Sequence, residues 1–229
     1  MKILAVDTAT NSCSVALTDG EHLLAEINLV STLTHSRHLA NMIRETCRLA
    51  RLALAEVDAY AVVKGPGSFT GLRIGVSTVK GLAEAANRPI VGISALRALA
   101  EQASASTPLV CPLIDARRAE VYFASYRILD GVLAECDLEE VLPPELALQA
   151  IAAPCTFVGN GAALYHTLIR DSLGGKAFFA HSSAHVLRAS TVARLAWRRL
   201  ENGASDEITH FVPVYLRKSD ARISQRSRC

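Results

Sequence analysis

The chain has 229 residues, of which 50% are apolar, 20% are charged and 5% are aromatic, and its formal net charge is +2. This apolar content excludes a fully disordered chain, because it is enough to build a core. The balanced charge argues against a surface that is basic throughout, and the scarcity of aromatic residues argues against a base-stacking platform.

The first part of the chain predicts elements in the order βββαβαβα. Period-2 patterns predict strands over 2–8, 13–18 and 22–29, with Asp19-Gly20 as a hairpin turn. Apolar residues then recur at helical spacing from residue 36 to residue 54. The elements that follow are a strand over 59–64, a helix over 72–86, a strand over 90–93 and a helix over 95–103.

After a linker over 104–107, the same order begins again. The strand over 109–114 leads into Asp115, as the first strand of the chain leads to Asp7. The later elements are strands over 120–128 and 132–141 joined by an Asp130-Gly131 turn, a helix over 144–151, a strand over 156–158, helices over 162–171 and 184–202, and a strand over 211–215. The sequence therefore contains a duplicated βββαβα unit.

This duplication resembles the two-lobed α/β architecture of the actin, Hsp70 and sugar-kinase superfamily, the ASKHA or RNase H-like fold. The expected division is an N-terminal lobe over 1–103, a C-terminal lobe over 108–216 and a basic tail over 217–229. In that architecture the first hairpins of both lobes face a central cleft, where nucleotide and metal are bound. The candidate cleft residues are Asp7, Thr8, Asp115 and Arg117.

The Asp7 turn has two interpretations. A carboxylate beside the hydroxyls of Thr8, Thr10 and Ser12 is a suitable ligand set for a hard cation. However, Ala9 stands where the kinase and Hsp70 relatives carry a glycine that lets the phosphate approach. Asp7 either belongs to such a site or only caps the turn.

A glycine-rich segment separates the strand over 59–64 from the next helix. A strand, a glycine-rich turn and a helix N-terminus can together form an anion site. The specific phosphate motifs fail, because Leu72 follows Gly71 where a P-loop has lysine, and Thr70 stands where a dinucleotide fingerprint has glycine. We favour a tight turn in which Ser68 or Thr70 caps the helix, and in which Gly71 and Gly75 let another helix approach. The loop comprises Gly65, Pro66, Gly67, Ser68, Phe69, Thr70 and Gly71, and we call it the Gly65 loop.

The helix over 72–86 has two apolar faces, one of them built from small residues such as Gly81 and Ala85. A helix that is apolar on two sides must be covered on two sides. The helix over 36–54 likewise has leucines off its main stripe, so we predict that this helix pair associates with another protein chain. The candidate interface residues are Leu39, Met42, Ile43, Thr46, Leu49, Arg73, Ile74 and Thr78.

The histidines and cysteines predict no metal site. His35 with His38, and His181 with His185, have zinc-compatible spacing, but no third ligand is evident, and we expect polar or capping roles. The six cysteines lie far apart without a C-x-x-C pair and are expected to be reduced thiols. The N-terminus has no signal-peptide pattern, and no apolar run reaches ~18 residues, so we expect a cytoplasmic protein without a membrane partner.

The C-terminal tail carries most of the uneven charge. Residues 217–229 hold five basic residues and one acidic residue. The favoured interpretation is a solvated terminus, and the alternative is a contact with RNA phosphates or a partner.

Four segments spread along the chain carry a family resemblance: ILAVDTA at 3–9, GPGSFTGLR at 65–73, IDARRAEVY at 114–122 and PVYLR at 213–217. Together they resemble the bacterial TsaB (YeaZ) family of tRNA threonylcarbamoyladenosine biosynthesis proteins. The resemblance implies an actin-like fold. It also implies a role in making N6-threonylcarbamoyladenosine at position 37 of tRNAs that read codons beginning with A.

The resemblance further implies a subunit without its own chemistry, cofactor or metal. The catalytic paralogue TsaD binds a metal through an H-x-x-x-H motif, and Ala95 and Leu99 stand at the matching positions of this sequence. The implied partners are TsaD, the ATPase TsaE, a second copy when the chain is alone, and tRNA through the complex. The alternatives are an ATP-dependent phosphotransferase and a metallopeptidase.

Overall fold

The computed structural model describes residues 1–31, 34–103, 107–129, 132–136 and 138–217. The strands are β1 (Lys2–Asp7), β2 (Ser12–Asp19), β3 (His22–Val30), β4 (Ala59–Gly65), β5 (Ile90–Ser94), β6 (Leu109–Arg117), β7 (Glu120–Phe123), β8 (Tyr126–Leu129), β9 (Val132–Cys136), β10 (Glu140–Leu142), β11 (Cys155–Val158) and β12 (Ala177–Phe179). The helices are α1 (Leu39–Ala50), α2 (Phe69–Ala86), α3 (Ala95–Gln102), α4 (Pro144–Gln149), α5 (Asn160–Leu164), α6 (His166–Leu173) and α7 (Ala189–Glu201). The predicted Asp130-Gly131 turn lies outside the described residues.

The first sheet has five strands in the order β3-β2-β1-β4-β5. The predicted meander is confirmed, since β1, β2 and β3 are antiparallel, whereas β4 and β5 run parallel to β1. Asp19 pairs with His22, so the hairpin loop is Gly20-Glu21, one residue later than predicted. Gly20 has a φ of 56°, a conformation that glycine adopts without steric cost.

The second sheet has seven strands and is built around β6. The strand predicted over 120–128 is divided into β7 and β8, which keep one register against β6, with Leu113 opposite Phe123 and Val110 opposite Tyr126. The interruption falls opposite Pro112, which has no amide N–H to donate to the ladder. The strand predicted over 132–141 is likewise divided, into β9 and β10.

The two sheets and their helices form alternating layers. Helices α1 and α2 pack on the outer face of the first sheet, and α3 and α7 lie on its other face, where α3 also contacts β6. Helices α4, α5 and α6 cover the far face of the second sheet. This is the layering of an actin-like fold. Although α7 comes late in the chain, it packs on the first sheet, and the lobe division at 103 and 108 stays a prediction.

Two expectations about the second half are wrong. Residues 211–215 form no strand; the segment is irregular and is tied to β4 by the amide of Val214, which donates to the carbonyl of Lys64 over 2.7 Å. The sulfur atoms of Cys111 and Cys155, on the neighbouring strands β6 and β11, are joined as a disulfide, so these two are not free thiols. Among the described residues, no helix is long and apolar enough to cross a bilayer.

Candidate functional site

The Gly65 loop is fastened to the turn between β1 and β2. Ser68 is the N-cap of α2, and its hydroxyl accepts a hydrogen bond from the amide of Gly71 over 3.3 Å. The amide of Ser68 donates to the carbonyl of Ala9 over 2.7 Å. The hydroxyl of Thr8 donates to the carbonyl of Gly71 over 2.8 Å. The predicted capping role of Ser68 is therefore confirmed.

Gly67, Gly71 and Gly75 must be glycines, because the Gly65 loop and the start of α2 lie directly against the turn after β1. A Cβ atom on Gly71 would lie 2.1 Å from the carbonyl oxygen of Thr8, and one on Gly67 would lie 2.4 Å from that of Ala9. On Gly75 it would lie 2.3 Å from the hydroxyl oxygen of Thr8. The expectation that Gly71 and Gly75 face another helix is wrong, since they face the turn after β1.

Asp7 is buried beneath this turn. Its carboxylate accepts the amide hydrogen of Ala9 over 2.9 Å, and its second oxygen has no hydrogen-bond partner. Burial outweighs the backbone hydrogen bonds and raises the pKa of Asp7 to about 7. Burial, together with the charge of Asp7, raises the pKa of the Cys13 thiol to about 12. Neither group is available as a solvent-exposed acid or nucleophile.

A cavity of about 1120 Å³, which we call the inter-lobe cleft, lies between the two sheets' hairpins. Its walls come from the turn after β1, the Gly65 loop, the β6–β7 hairpin and the start of α5. Asp115 and Arg117 line the cleft as predicted. Asp7 and Thr8 do not, because both are fully buried behind Ala9, and their assignment to the cleft wall is wrong.

The actin-like fold implies a nucleotide with a divalent cation in this cleft, but the residues here do not fit one. A phosphate would have to approach the turn after β1, where the amide of Ala9 is already bonded to Asp7 and the amide of Ser68 to the carbonyl of Ala9. The carboxylate of Asp7 is sealed from the cleft and cannot reach a cation bound there.

The opposite wall of the cleft is the hairpin between β6 and β7. Its residues Arg117, Arg118 and Ala119 have φ values of 63°, 57° and 55°. Asp115 holds the turn, since its carboxylate accepts the amide hydrogen of Arg117 over 2.8 Å. Asn160 in turn accepts the amide hydrogen of Asp115 over 3.1 Å.

Residues 211–217, which we call the C-terminal strap, join both walls. The ring of Tyr215 stacks at 4.8 Å from that of Phe69, and its hydroxyl accepts a hydrogen bond from Arg73 over 3.1 Å. Arg217 donates to the carbonyl of Ala116 over 3.0 Å and pairs with Glu120. The sequence predicts a strand here and misses the role of Tyr215 and Arg217 in joining the two walls. The only sequence signal for that role is the family-like segment at 213–217.

The predicted partner interface is only partly at the surface. Leu39, Met42, Ile43 and Thr46 are buried, with at most 7% exposure, and the three apolar ones belong to the core between α1 and the first sheet. Their assignment to an exposed interface is wrong, because the helix stripe faces the sheet. The predicted residues that reach the surface, wholly or in part, are Leu49, Arg73, Ile74 and Thr78.

A second, apolar cavity of about 410 Å³ lies between α1 and α2. We call it the docking groove, and its lining includes Ile43 and Arg44 from α1 and Thr78 and Leu82 from α2. Beside it, Gly81 and Ala85 are exposed, and a Cβ atom on Gly81 would meet nothing within 4 Å. The small-residue face of α2 therefore lies at the surface, and its covering by another protein chain stays a prediction.

Of the four histidines singled out in the sequence, His35, His181 and His185 make hydrogen bonds, whereas the buried Nε2 of His38 has no partner. His181 accepts the amide hydrogen of Ser183 as an N-cap over 3.4 Å, which confirms a capping role. The ring of His35 lies 2.8 Å from the carbonyl oxygen of Thr10, and that of His185 lies 3.1 Å from the backbone of Gly159.

Comparison with known proteins shows which family shares this architecture. The family model described as "TsaD: tRNA N6-adenosine threonylcarbamoyltransferase" matches residues 27–225. The Escherichia coli tRNA threonylcarbamoyladenosine biosynthesis protein TsaB is 33% identical over 96% of both chains. The solved structure of YeaZ from Pseudomonas aeruginosa is 32% identical, with a TM-score of 0.78 over 93% of this chain and 100% of that one. Component A of the Acidaminococcus fermentans (R)-2-hydroxyglutaryl-CoA dehydratase, at 11% identity and a TM-score of 0.53 over 88% of this chain and 99% of that one, shares the fold alone.

The layers, the duplicated hairpins and the cleft define an actin-like protein of the TsaD-like class. Within that class, the chain belongs to the TsaB family of tRNA threonylcarbamoyladenosine biosynthesis proteins.

Proposed function

We propose that this chain is a non-catalytic subunit for threonylcarbamoylation of A37 in tRNAs that read codons beginning with A. In this role it docks and activates the paralogous transferase TsaD, with the ATPase TsaE joining the assembly in the cytoplasm. The observation that carries the proposal is the apolar, buried character of the two positions that match the metal ligands of TsaD.

Those positions are Ala95 and Leu99 on α3. Their exposures are 0% and 1%, and both belong to the core between the first sheet and α7. Neither side chain has a donor atom for a metal, and their burial leaves no room for an ion beside them. A chain of the transferase class that lacks these ligands is suited to support the chemistry of a relative.

The docking groove between α1 and α2 is the surface proposed for TsaD. A paralogue with the same fold presents its own pair of helices at the matching position. Two related chains can therefore meet face to face about an approximate two-fold axis. The exposed Gly81 and Ala85 allow a helix of the partner to come close. The same geometry suits a second copy of this chain when TsaD is absent.

Blocking the small-residue face tests this docking. Gly81→Leu adds a side chain where nothing lies within 4 Å, so the fold tolerates it while the partner helix is pushed away. Gly175→Leu is the matched control, because its Cβ position is equally open and lies far along the chain, in the C-terminal half.

We expect Gly81→Leu to lower the affinity for TsaD by at least tenfold in sedimentation or calorimetric titration, while Gly175→Leu binds like the unmodified chain. Melting temperatures of both variants show that the fold is intact. Equal affinity of both variants for TsaD would contradict docking through this groove.

A further inference from the structure

We infer that the β6–β7 hairpin, with Arg117 and Arg118 at its tip, is a binding surface for the phosphate backbone of RNA at the mouth of the inter-lobe cleft. The inference deepens the proposed function, on which it rests, by naming residues of this chain that contact the tRNA.

The hairpin tip has an unusual backbone. Arg117, Arg118 and Ala119 all lie in the left-handed region, with φ values of 63°, 57° and 55°. Residues with a Cβ atom avoid this region, and a run of them persists only where neighbouring structure enforces it. Asp115 and Asn160 supply that enforcement through their hydrogen bonds to the backbone. The tip therefore holds two consecutive arginines on the wall of the cleft.

The charge at this wall is predominantly positive. Among the described residues that line the cleft, three are arginines (Arg117, Arg118 and Arg217) and one is an acid (Asp115), and Glu120 beside the wall pairs with Arg217. The Arg117 side chain is 83% exposed, and its guanidinium lies 3.4 Å from Asp115. The guanidinium is in solvent, whereas the carboxylate of Asp115 is only 14% exposed and is also held by the amide of Arg117, so Arg117 can turn to a phosphate while Asp115 keeps its backbone hydrogen bond. Arg217 keeps its pair with Glu120 and stays in place.

The chain continues from this wall into its most basic segment. Arg217 lines the cleft, and residues 218–229 follow it with Lys218, Arg222, Arg226 and Arg228 against one acid, Asp220. Residues 1–216 have a small net negative charge. Within the described residues, Arg217 of this segment adds a positive charge to the wall that the β6–β7 hairpin forms.

An RNA backbone is the polyanion that best matches this surface. Paired arginines that stand exposed at a cleft mouth suit the repeated phosphates of a nucleic acid, which bind by displacing counterions. The cleft does not fit a nucleotide with its cation, because Asp7 is sealed beneath Ala9. The TsaB family acts in the modification of tRNA, so its pathway supplies an RNA ligand.

Salt-dependent binding tests the inference. The affinity of an unmodified tRNA transcript for the complex of this chain with TsaD is measured over a range of KCl concentrations. For Arg117→Gln/Arg118→Gln we expect about tenfold weaker binding near physiological salt, and a slope of log K against log salt that is smaller by about one per arginine. Arg117→Lys/Arg118→Lys keeps both charges and should keep the slope.

Arg88→Gln/Arg170→Gln is the control, because it removes the same charge from exposed positions that do not line the cleft. Affinity and slope equal to those of this control would overturn the inference. So would loss of TsaD association by the Arg117/Arg118 variant in the absence of RNA, which would assign the arginines to an acidic protein surface. If the unmodified chain itself does not associate with TsaD, the proposed function fails. In that case the affinity of the isolated chain for the tRNA transcript, measured over the same range of KCl concentrations, tests whether the β6–β7 hairpin binds RNA.

Discussion

The hydroxyl of Thr8 and the carbonyl of Gly71 are joined by a buried 2.8 Å hydrogen bond between residues that lie 63 positions apart in the sequence. This bond fixes the start of α2 against the turn after β1. The Gly65 loop, which has the composition of a phosphate-binding loop, is therefore used to pack two backbone segments together.

Substitution of Gly71 tests this structural role. Gly71→Ala places a Cβ atom 2.1 Å from the carbonyl oxygen of Thr8, so backbone must move. We expect the free energy of unfolding to fall by about 1–3 kcal/mol, the usual cost of overpacking. Gly81→Ala, in open space on the same helix, should instead stabilise the chain by up to about 1 kcal/mol. Urea denaturation of both variants measures the difference, and a neutral Gly71→Ala would show that the loop is not packed as described.

The apolar stripe of α1 gives a second prediction. Met42 is 6% exposed in the core beneath the helix, whereas Leu49 is 52% exposed on the same helix. Met42→Asp buries an unpaired charge and should destabilise the fold by several kcal/mol. Leu49→Asp, in the last turn of the helix, should cost only about 1 kcal/mol, from helix propensity and the helix dipole. Thermal unfolding compares the two variants, and a Met42→Asp variant that melts like the Leu49→Asp variant would place the stripe at the surface.

The burial of Met42 shows what the sequence could and could not predict about α1. The helical spacing of Leu39, Met42 and Ile43 correctly predicts one buried face. The same spacing is expected whether a sheet or another protein covers that face, so the pattern alone could not separate core from interface. The small-residue face of α2 is easier to predict than the stripe of α1, because Gly81 and Ala85 are too small to contribute much to a core.

Other features depended on contacts between distant residues. The division of the strand over 120–128 follows from Pro112, and it could be predicted only with the pairing register known. The contact of Tyr215 with Phe69 and Arg73 joins segments more than 140 residues apart, and no local pattern indicates it. The hairpins after Asp7 and Asp115 were predictable, because strand alternation and turn residues are local signals.

The pKa of Asp7 predicts a dependence of stability on pH. Burial raises this pKa from 3.8 in the unfolded chain to about 7 in the fold. Between these values the folded chain keeps a proton that the unfolded chain releases, so the stability contributed by Asp7 falls as the pH rises and levels off above about pH 7. Between pH 5 and pH 8 the loss is roughly 2–3 kcal/mol.

Asp7→Asn removes this titration and is the direct comparison. The free energy of unfolding of the Asp7→Asn variant should vary less between pH 5 and pH 8 than that of the unmodified chain, by about the same 2–3 kcal/mol. Urea denaturation at the two pH values measures it. An identical pH dependence in both chains would mean that Asp7 is ionised in the fold at pH 5.

The most direct test of the non-catalytic subunit is an omission experiment with purified TsaD, TsaE, this chain and a tRNA transcript, supplied with ATP and with threonylcarbamoyl adenylate as the donor of the transferred group. Modified adenosine at position 37 is quantified after complete and incomplete mixtures. We predict that modification requires this chain together with TsaD, and that Gly81→Leu reduces it while Gly175→Leu does not. Full modification without this chain, or modification by this chain without TsaD, would contradict the account.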